Sequence, residues 1–218
     1  MTIYGNNSLN ITLDKSDVDA VAWALRDVKN GARTAVMRAI NRSLNGVKTD
    51  MVKTVRKTHN YKASALRKRI RVTKANKANL SGTTSSTGKT VHLTDVAGTS
   101  QTKKGVKVNV KKSTGRQLIP RSFLATSGSK KMVLRRPSKR SYGSYDDLYG
   151  RYGPAGSGGT LGKRGGSARL MWFPAPHPEH VYAEPETWEK IEDGAGERLE
   201  KELAHQVQHI LNKHKGLV

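Results

Sequence analysis

The chain has no cysteine, which excludes disulfides and thiolate metal sites and leaves the redox compartment unread. Aromatics make up only 6% and hydrophobic residues 35% of its 218 positions. The core is therefore modest, with much of the chain expected in loops or arms, although the length allows one or two domains. No apolar run approaches the roughly 18 residues of a membrane span. The stretch "MTIYGNNSLNITLDKS" also lacks the basic-then-apolar order expected of a secretory signal. Acids are nearly missing from residues 28–140, where Asp50 and Asp95 stand against 29 Lys/Arg, a balance of +27. They return in residues 179–218, nine against five bases, a balance of −4. Over the whole chain the formal charge is +23. A basic body followed by an acidic segment implies two surfaces with different partners, or one domain with an acidic helix on its edge.

What is present reads as α+β. Residues 1–15 form an arm or strand, because Leu9, Ile11 and Leu13 alternate. Ser16 and Asp19 have the spacing of a capping box, with Asp in place of Glu. Apolar residues then recur at helical spacing through Val21, Leu25, Val28, Ala32, Val36, Ile40, Leu44, Val47, Met51 and Val55. Gly31 and Gly46 are expected to divide this stretch into two or three helices. On its later part Arg38, Arg42, Lys53 and Arg56 lie opposite the apolar stripe, so reversing their charge should leave folding intact. "YKASALRKRI" (61–70) reads as a short helix. An irregular antiparallel sheet follows, with strands near 70–75, 78–84, 90–94, 106–112, 121–126 and 131–136 and hairpin connections at 99–105 and 127–131. This basic body, 16–141, gives way to a Gly/Tyr-rich loop, 142–168, with nine glycines in residues 142–166. Tyr142, Tyr145, Tyr149 and Tyr152 make it a candidate assembly loop. Residues 169–218 complete the same domain with an edge strand in "RLMWFPAPHPEHVY" and an acidic helix. Pro185 suits that helix's first turn and Gly216 its end. Its apolar stripe runs through Trp188, Ile191, Ala195, Leu199, Leu203, Val207 and Ile210.

Catalytic chemistry finds little support. "TTSSTGKT" (83–90) resembles a phosphate-binding loop, but Thr83 stands where the first glycine is required and Gly82 is one residue too far away. A polar hairpin turn is the plainer reading. His205 and His209 share a helix face, and His177 and His180 lie upstream, yet "HQVQH" lacks the glutamate of a zinc-protease helix. No serine sits in a nucleophile elbow. No catalytic residue, metal or cofactor is expected.

The remaining signal is the set of cations: Arg33, Arg38, Arg42, Lys53, Arg56, Lys57, Arg67, Lys68, Arg69, Arg71, Lys103, Lys104, Arg135 and Arg136, continued by Lys111, Lys112, Lys139 and Arg140. Distributed Lys/Arg without interleaved aromatics suits phosphate contacts, which give affinity without sequence readout. The bland alternatives are a solvated positive face and ion pairs within an oligomer. No zinc-finger, basic-zipper or RNP pattern is present.

One resemblance spans residues 30–136. "RAINRS" on an alanine-rich helix, then "T..R...Y", "LRKRIRV.KA...L.G", and later "IPRSFLAT" before the basic "VLRR" strand together resemble the phage minor tail protein Z, or tail completion, family. "ERLEKELAHQVQHILNK" is similar in kind to that family's last helix. Where the family has a leucine-rich strand and a Gly-Pro-Ser turn, this chain has its Gly-rich stretch followed by "FPAPHPEH". The resemblance implies a non-enzymatic virion protein, made in the host cytoplasm and placed at the head-proximal end of the tail. There it would complete the tail or join it to the head. Its partners would be other tail and neck proteins, copies of itself in a ring, six-fold by analogy with tail-end proteins, and genomic DNA held without sequence preference. No membrane partner is implied. The alternative is a stand-alone, non-specific nucleic-acid-binding protein, and behind it an enzyme of nucleic-acid metabolism.

Overall fold

The computed structural model describes residues 3–4, 8–87, 91–127, 130–135, 160–161 and 170–216. The α+β class holds: a long helix and a late helix accompany antiparallel strands. In place of the single irregular sheet expected, the described strands form four small ones. The chain clusters into two compact units. The first comprises residues 1–54, 67–87 and 179–218, the second residues 55–66 and 88–178.

The first unit carries a four-stranded sheet in the order β1-β2-β4-β3, with β1 at Ile3–Tyr4, β2 at Ser8–Thr12, β3 at Ile70–Thr73 and β4 at Ser81–Ser86. Leu9 pairs with Thr84 and Ile11 with Gly82, so these four residues share one face, and all are buried. Above that face lies helix α2, Gly31–Thr58, whose residues through Thr54 belong to this unit. Its stripe of Val36, Ile40, Leu44, Val47 and Met51 is fully buried, as the spacing predicts, and Ala35, Ala39 and Ser43 join it. A Cβ placed on Gly82 would stand 2.5 Å from Leu44 Cδ1, 3.1 Å from the Thr73 carbonyl oxygen and 3.2 Å from Ile40 Cγ2. The polar stretch taken for a hairpin turn is therefore partly a central strand, small because a helix lies against it. Asn41 ties the same helix to the β3–β4 connection: its amide donates to the Ala75 carbonyl at 3.0 Å and accepts from the Ala75 N–H at 2.8 Å.

Helix α1, Lys15–Ala24, begins one residue before Ser16. Asp14 occupies its N-cap without a side-chain capping bond, so the expected capping box is not formed. Gly31 does mark a division, since it opens α2. Gly46 does not: the helix runs through it, and a side chain there would overlap Arg198. Arg198 lies on α5, Pro185–His214, with Pro185 in the first turn as expected. Four of the seven stripe residues named for this helix, Ile191, Ala195, Leu199 and Ile210, are buried, and Trp188, Leu203 and Val207 are half-buried. Gln206 is buried with them. The short helix α4, Glu179–Tyr182, ends in a buried tyrosine whose hydroxyl donates to the Met51 carbonyl at 3.2 Å.

The second unit begins with the last turn of α2. Segment 59–62 is stitched on both sides, Asn60 N–H to the Val110 carbonyl at 2.8 Å and Lys62 N–H to the Asp95 carbonyl at 2.9 Å. The buried Tyr61 donates its hydroxyl to the Pro176 carbonyl at 2.5 Å. Helix α3 covers Ala63–Arg67, inside the short helix expected, and its Leu66 is buried in this unit. Strands β6 (Ser100–Thr102), β7 (Gly105–Val108) and β8 (Gln117–Pro120) form one antiparallel sheet. A second, in the order β11-β12-β10-β9, contains β9 at Ser122–Ser127, β10 at Lys130–Arg135, β11 at Thr160–Leu161 and β12 at Leu170–Trp172. The segment expected as an edge strand, β12, thus lies between two neighbours. The third is β5 (Val91–His92) with β13 (Pro174–Ala175). Apart from β11, the Gly/Tyr-rich segment with Tyr142, Tyr145, Tyr149 and Tyr152 lies outside the described residues, as does Arg136.

Two glycines in the first unit should respond oppositely to alanine. Gly82→Ala overpacks the contact between α2 and β4 and should cost about 1–3 kcal/mol. Gly194→Ala, inside α5 with no atom within 4 Å of the added methyl, should stabilise by about 0.5–1 kcal/mol. Urea unfolding of the two variants measures both. Burial, reinforced by the Glu179 carboxylate, also pushes the Tyr182 phenol well above its ordinary value. Its contribution to stability is then fully present below the unfolded value of about 10 and is lost as pH rises beyond it, at up to about 1.4 kcal/mol per pH unit. Alkaline unfolding curves should flatten in Tyr182→Phe.

Candidate nucleic-acid interface

The sequence-selected cations fall into separate groups. Arg33, Arg38, Arg42 and Lys53 project from the first unit's portion of α2, all exposed. The surface of α2 opposite its buried stripe is thus basic, as its periodicity requires. Yet Arg42 is committed within the unit, its Nη1 lying 3.1 Å from Glu202 Oε2 on α5. Reversing its charge would set two carboxylates together, a repulsion that the other three positions do not face among the described ion pairs. A second ion pair joins the same two helices, Arg198 Nη2 to Asp50 Oδ2 at 2.7 Å. Gly46 leaves the space through which that arginine passes.

Arg67, Lys68 and Arg71 are exposed in the first unit, Arg71 on the sheet face away from the buried Ile70. Arg69 is half-buried, and its carbonyl accepts from both the N–H and the hydroxyl of Thr87 at 2.9 Å. Arg56 and Lys57 are exposed on the part of α2 that belongs to the second unit.

Lys103 and Lys104, also in the second unit, form the exposed turn between β6 and β7. Arg135 is half-buried at the end of β10, directly across from Ser122. Between these positions stands a cation that the sequence did not single out, Arg121, in the one-residue corner from β8 to β9. Its backbone is left-handed, with φ of 57°, a region that non-glycine residues seldom occupy. Its N–H donates to the Lys104 carbonyl at 3.0 Å. The corner therefore holds Arg121 beside the lysine turn, although 17 positions separate Arg121 from Lys104 in sequence. Only "IPRS" hinted at it: a proline followed by a residue that must turn before a strand.

The acids are distributed just as unevenly. Among the described residues the second unit has 13 Lys/Arg and a single acid, Asp95, a balance of +12. The first has 19 Lys/Arg and 14 acids, a balance of +5. Asp95 is itself engaged, accepting from the His92 N–H at 3.3 Å. In the first unit, five exposed carboxylates of α5 (Glu186, Glu189, Asp193, Glu197 and Glu200) fall within about 80° of arc at about 100° per residue. The electrostatic consequence, among the described residues, is a nearly compensated first unit and a second unit with a large positive excess.

His205 and His209 lie 6.4 Å apart as stacked rings on α5. Among the described residues no group of three or more His, Asp or Glu could hold a metal ion.

A double-mutant cycle tests the assignment of Arg42. Arg42→Gln and Glu202→Gln should couple by about 0.2–1 kcal/mol in urea unfolding, while Arg38→Gln, which forms no ion pair among the described residues, should leave stability unchanged. No family model matches the chain, and no curated protein or solved structure matches it significantly.

Proposed function

We propose that this chain is a structural protein of a phage virion, located at the head-proximal end of the tail, where it completes the tail or joins it to the head. In this reading it acts as one subunit of a homo-oligomeric ring, six-fold by analogy, around a channel that conducts DNA. Its chemistry is binding rather than catalysis. The tail assignment rests on the ordered pieces from "RAINRS" to "VLRR". What supports a role beside DNA is one observation: a folded unit whose described residues include 13 cations and one acid.

The physical logic follows from that imbalance. A unit with this excess repels copies of itself and gains by neutralising phosphates, with release of condensed counterions. Exposed lysines contact phosphates through flexible, strongly hydrated heads. Such contacts hold DNA without reading bases, and each is weak enough to exchange as DNA passes. Acidic α5 provides a surface of opposite sign that suits a basic neighbouring subunit.

Antibody labelling of intact and partly disrupted virions, viewed by electron microscopy, tests the location. Label confined to the neck or head-proximal tail end is expected. Particles without label, with the protein in a soluble DNA-bound fraction, would replace this reading with that of a stand-alone nucleic-acid-binding protein.

A further inference from the structure

The corner where β8 turns into β9 is constructed with unusual care for an exposed loop. Ser122 is buried there, and its hydroxyl does two jobs: it donates to the Ile119 carbonyl at 2.7 Å and accepts from the Val106 N–H at 3.0 Å. Gln101 braces the other side. Its amide nitrogen lies 3.3 Å from the Ser122 carbonyl, and its oxygen accepts from the Leu124 N–H at 2.7 Å. Gly105, with φ of 150°, sits where any side chain would overlap the Ile119 carbonyl. Ser122, Gln101 and Gly105 thus fix one backbone path, and that path forces Arg121 into the left-handed region.

Such a conformation is unfavourable for a non-glycine residue and persists where the surroundings over-determine it. Glycine or asparagine would take the position more easily. An arginine instead means that the cost places a guanidinium. The bond from Arg121 N–H to the Lys104 carbonyl sets its backbone beside the Lys103–Lys104 turn. All three side chains are exposed, and among the described residues no carboxylate pairs with any of them. The result is three cations on a rigid support inside the unit of balance +12.

We propose that Lys103, Lys104 and Arg121 form a preorganised phosphate clamp that grips the backbone of duplex DNA, and that this corner, rather than the arginine face of α2, is the chain's principal DNA contact. The proposal deepens the DNA-facing role above and rests on it. The contrast with α2 is physical. There, Arg42 is already engaged by Glu202, and the acids of the first unit offset most of its cations. At the corner no carboxylate among the described residues pairs with the three cations. A linear ligand of uniform negative charge is the occupant that fits, because three adjacent cations on a fixed support can meet successive phosphates with little ordering cost. Arg121 brings the planar fork that meets phosphate oxygens in pairs.

The test is the salt dependence of binding of the purified full chain to a short DNA duplex. One variant removes the clamp charges, Lys103→Gln, Lys104→Gln and Arg121→Asn, asparagine being chosen because it tolerates the left-handed backbone. A matched variant removes three α2 charges, Arg33→Gln, Arg38→Gln and Lys53→Gln. The clamp variant should lower the slope of log affinity against log salt by about 2–3 and weaken low-salt binding by about tenfold or more. The α2 variant should change the slope by less than about 1. Equal losses in the two variants, a larger loss in the α2 variant, or no binding by the unaltered chain would overturn the clamp. If the triple clamp variant melts differently from the unaltered chain, Lys103→Gln/Lys104→Gln decides the matter, since it alters only exposed side chains; its expected slope loss is about 2. Tighter binding of polyglutamate than of duplex at equal charge concentration would assign the corner to an acidic protein instead. The virion location is read independently by labelling, so a failed clamp and a failed tail assignment give different results.

Discussion

The first unit depends on how closely one helix approaches one strand. At Gly82 there is no room for a methyl group beneath Leu44 and Ile40. That proximity lets Leu9 and Ile11 on the neighbouring strand reach the same buried layer, and it seals the aliphatic stripe of α2 from water. Chain composition explains the solution. With so few aromatics available, thickness cannot come from large side chains, so the layers close by bringing backbones together. Thr84 and Ser43, buried in the same unit, follow the same rule: small size outweighs polarity where space is scarce. The Asn41 clamp on Ala75 then fixes the connection between β3 and β4, and so the position of the strand beneath the helix.

The same economy separates charge from core. In the first unit, cations on α2 meet carboxylates on α5 and serve structure as well as solubility. Among the described residues of the second, Asp95 alone carries a carboxylate. Partly exposed ion pairs such as Arg42 with Glu202 contribute little to stability individually. Their larger effect is to remove cations from the pool available to a ligand. The surface able to receive a polyanion is therefore smaller than the count of Lys/Arg suggests.

Periodicity made the helices legible. Val36, Ile40, Leu44, Val47 and Met51 are buried because the 3.6-residue period reports a face directly. Pro185 at the opening of α5 was legible for an equally local reason. Gly46 misled because helix propensity treats glycine as a weak point, whereas here it clears space for an arginine 152 positions away in sequence. Strand β4 was legible only in part: a strand was expected near 78–84, but "SGTTSS" carries neither alternation nor bulk, so its end read as a turn, and its burial is imposed by α2. Most of the site's cations could be named from composition. Their grouping could not, since Arg121 meets Lys104 through a backbone bond between two separate turns. Nor could the engagement of Arg42, whose partner lies 160 positions downstream.

That sequence separation has a consequence in time. The hydroxyl of Tyr182 and the carbonyl of Met51 that it closes upon are 131 positions apart. At ribosomal rates of roughly 5–20 residues per second, α2 emerges on the order of ten seconds before the helices that finish covering it. During that interval its aliphatic stripe depends on the β2–β4 sheet for shelter, and part of that sheet also comes later in the chain. A nascent chain of this design is a natural client for chaperones that hold exposed apolar helices, and its yield in the cell should be governed by that waiting period as much as by the stability of the finished fold.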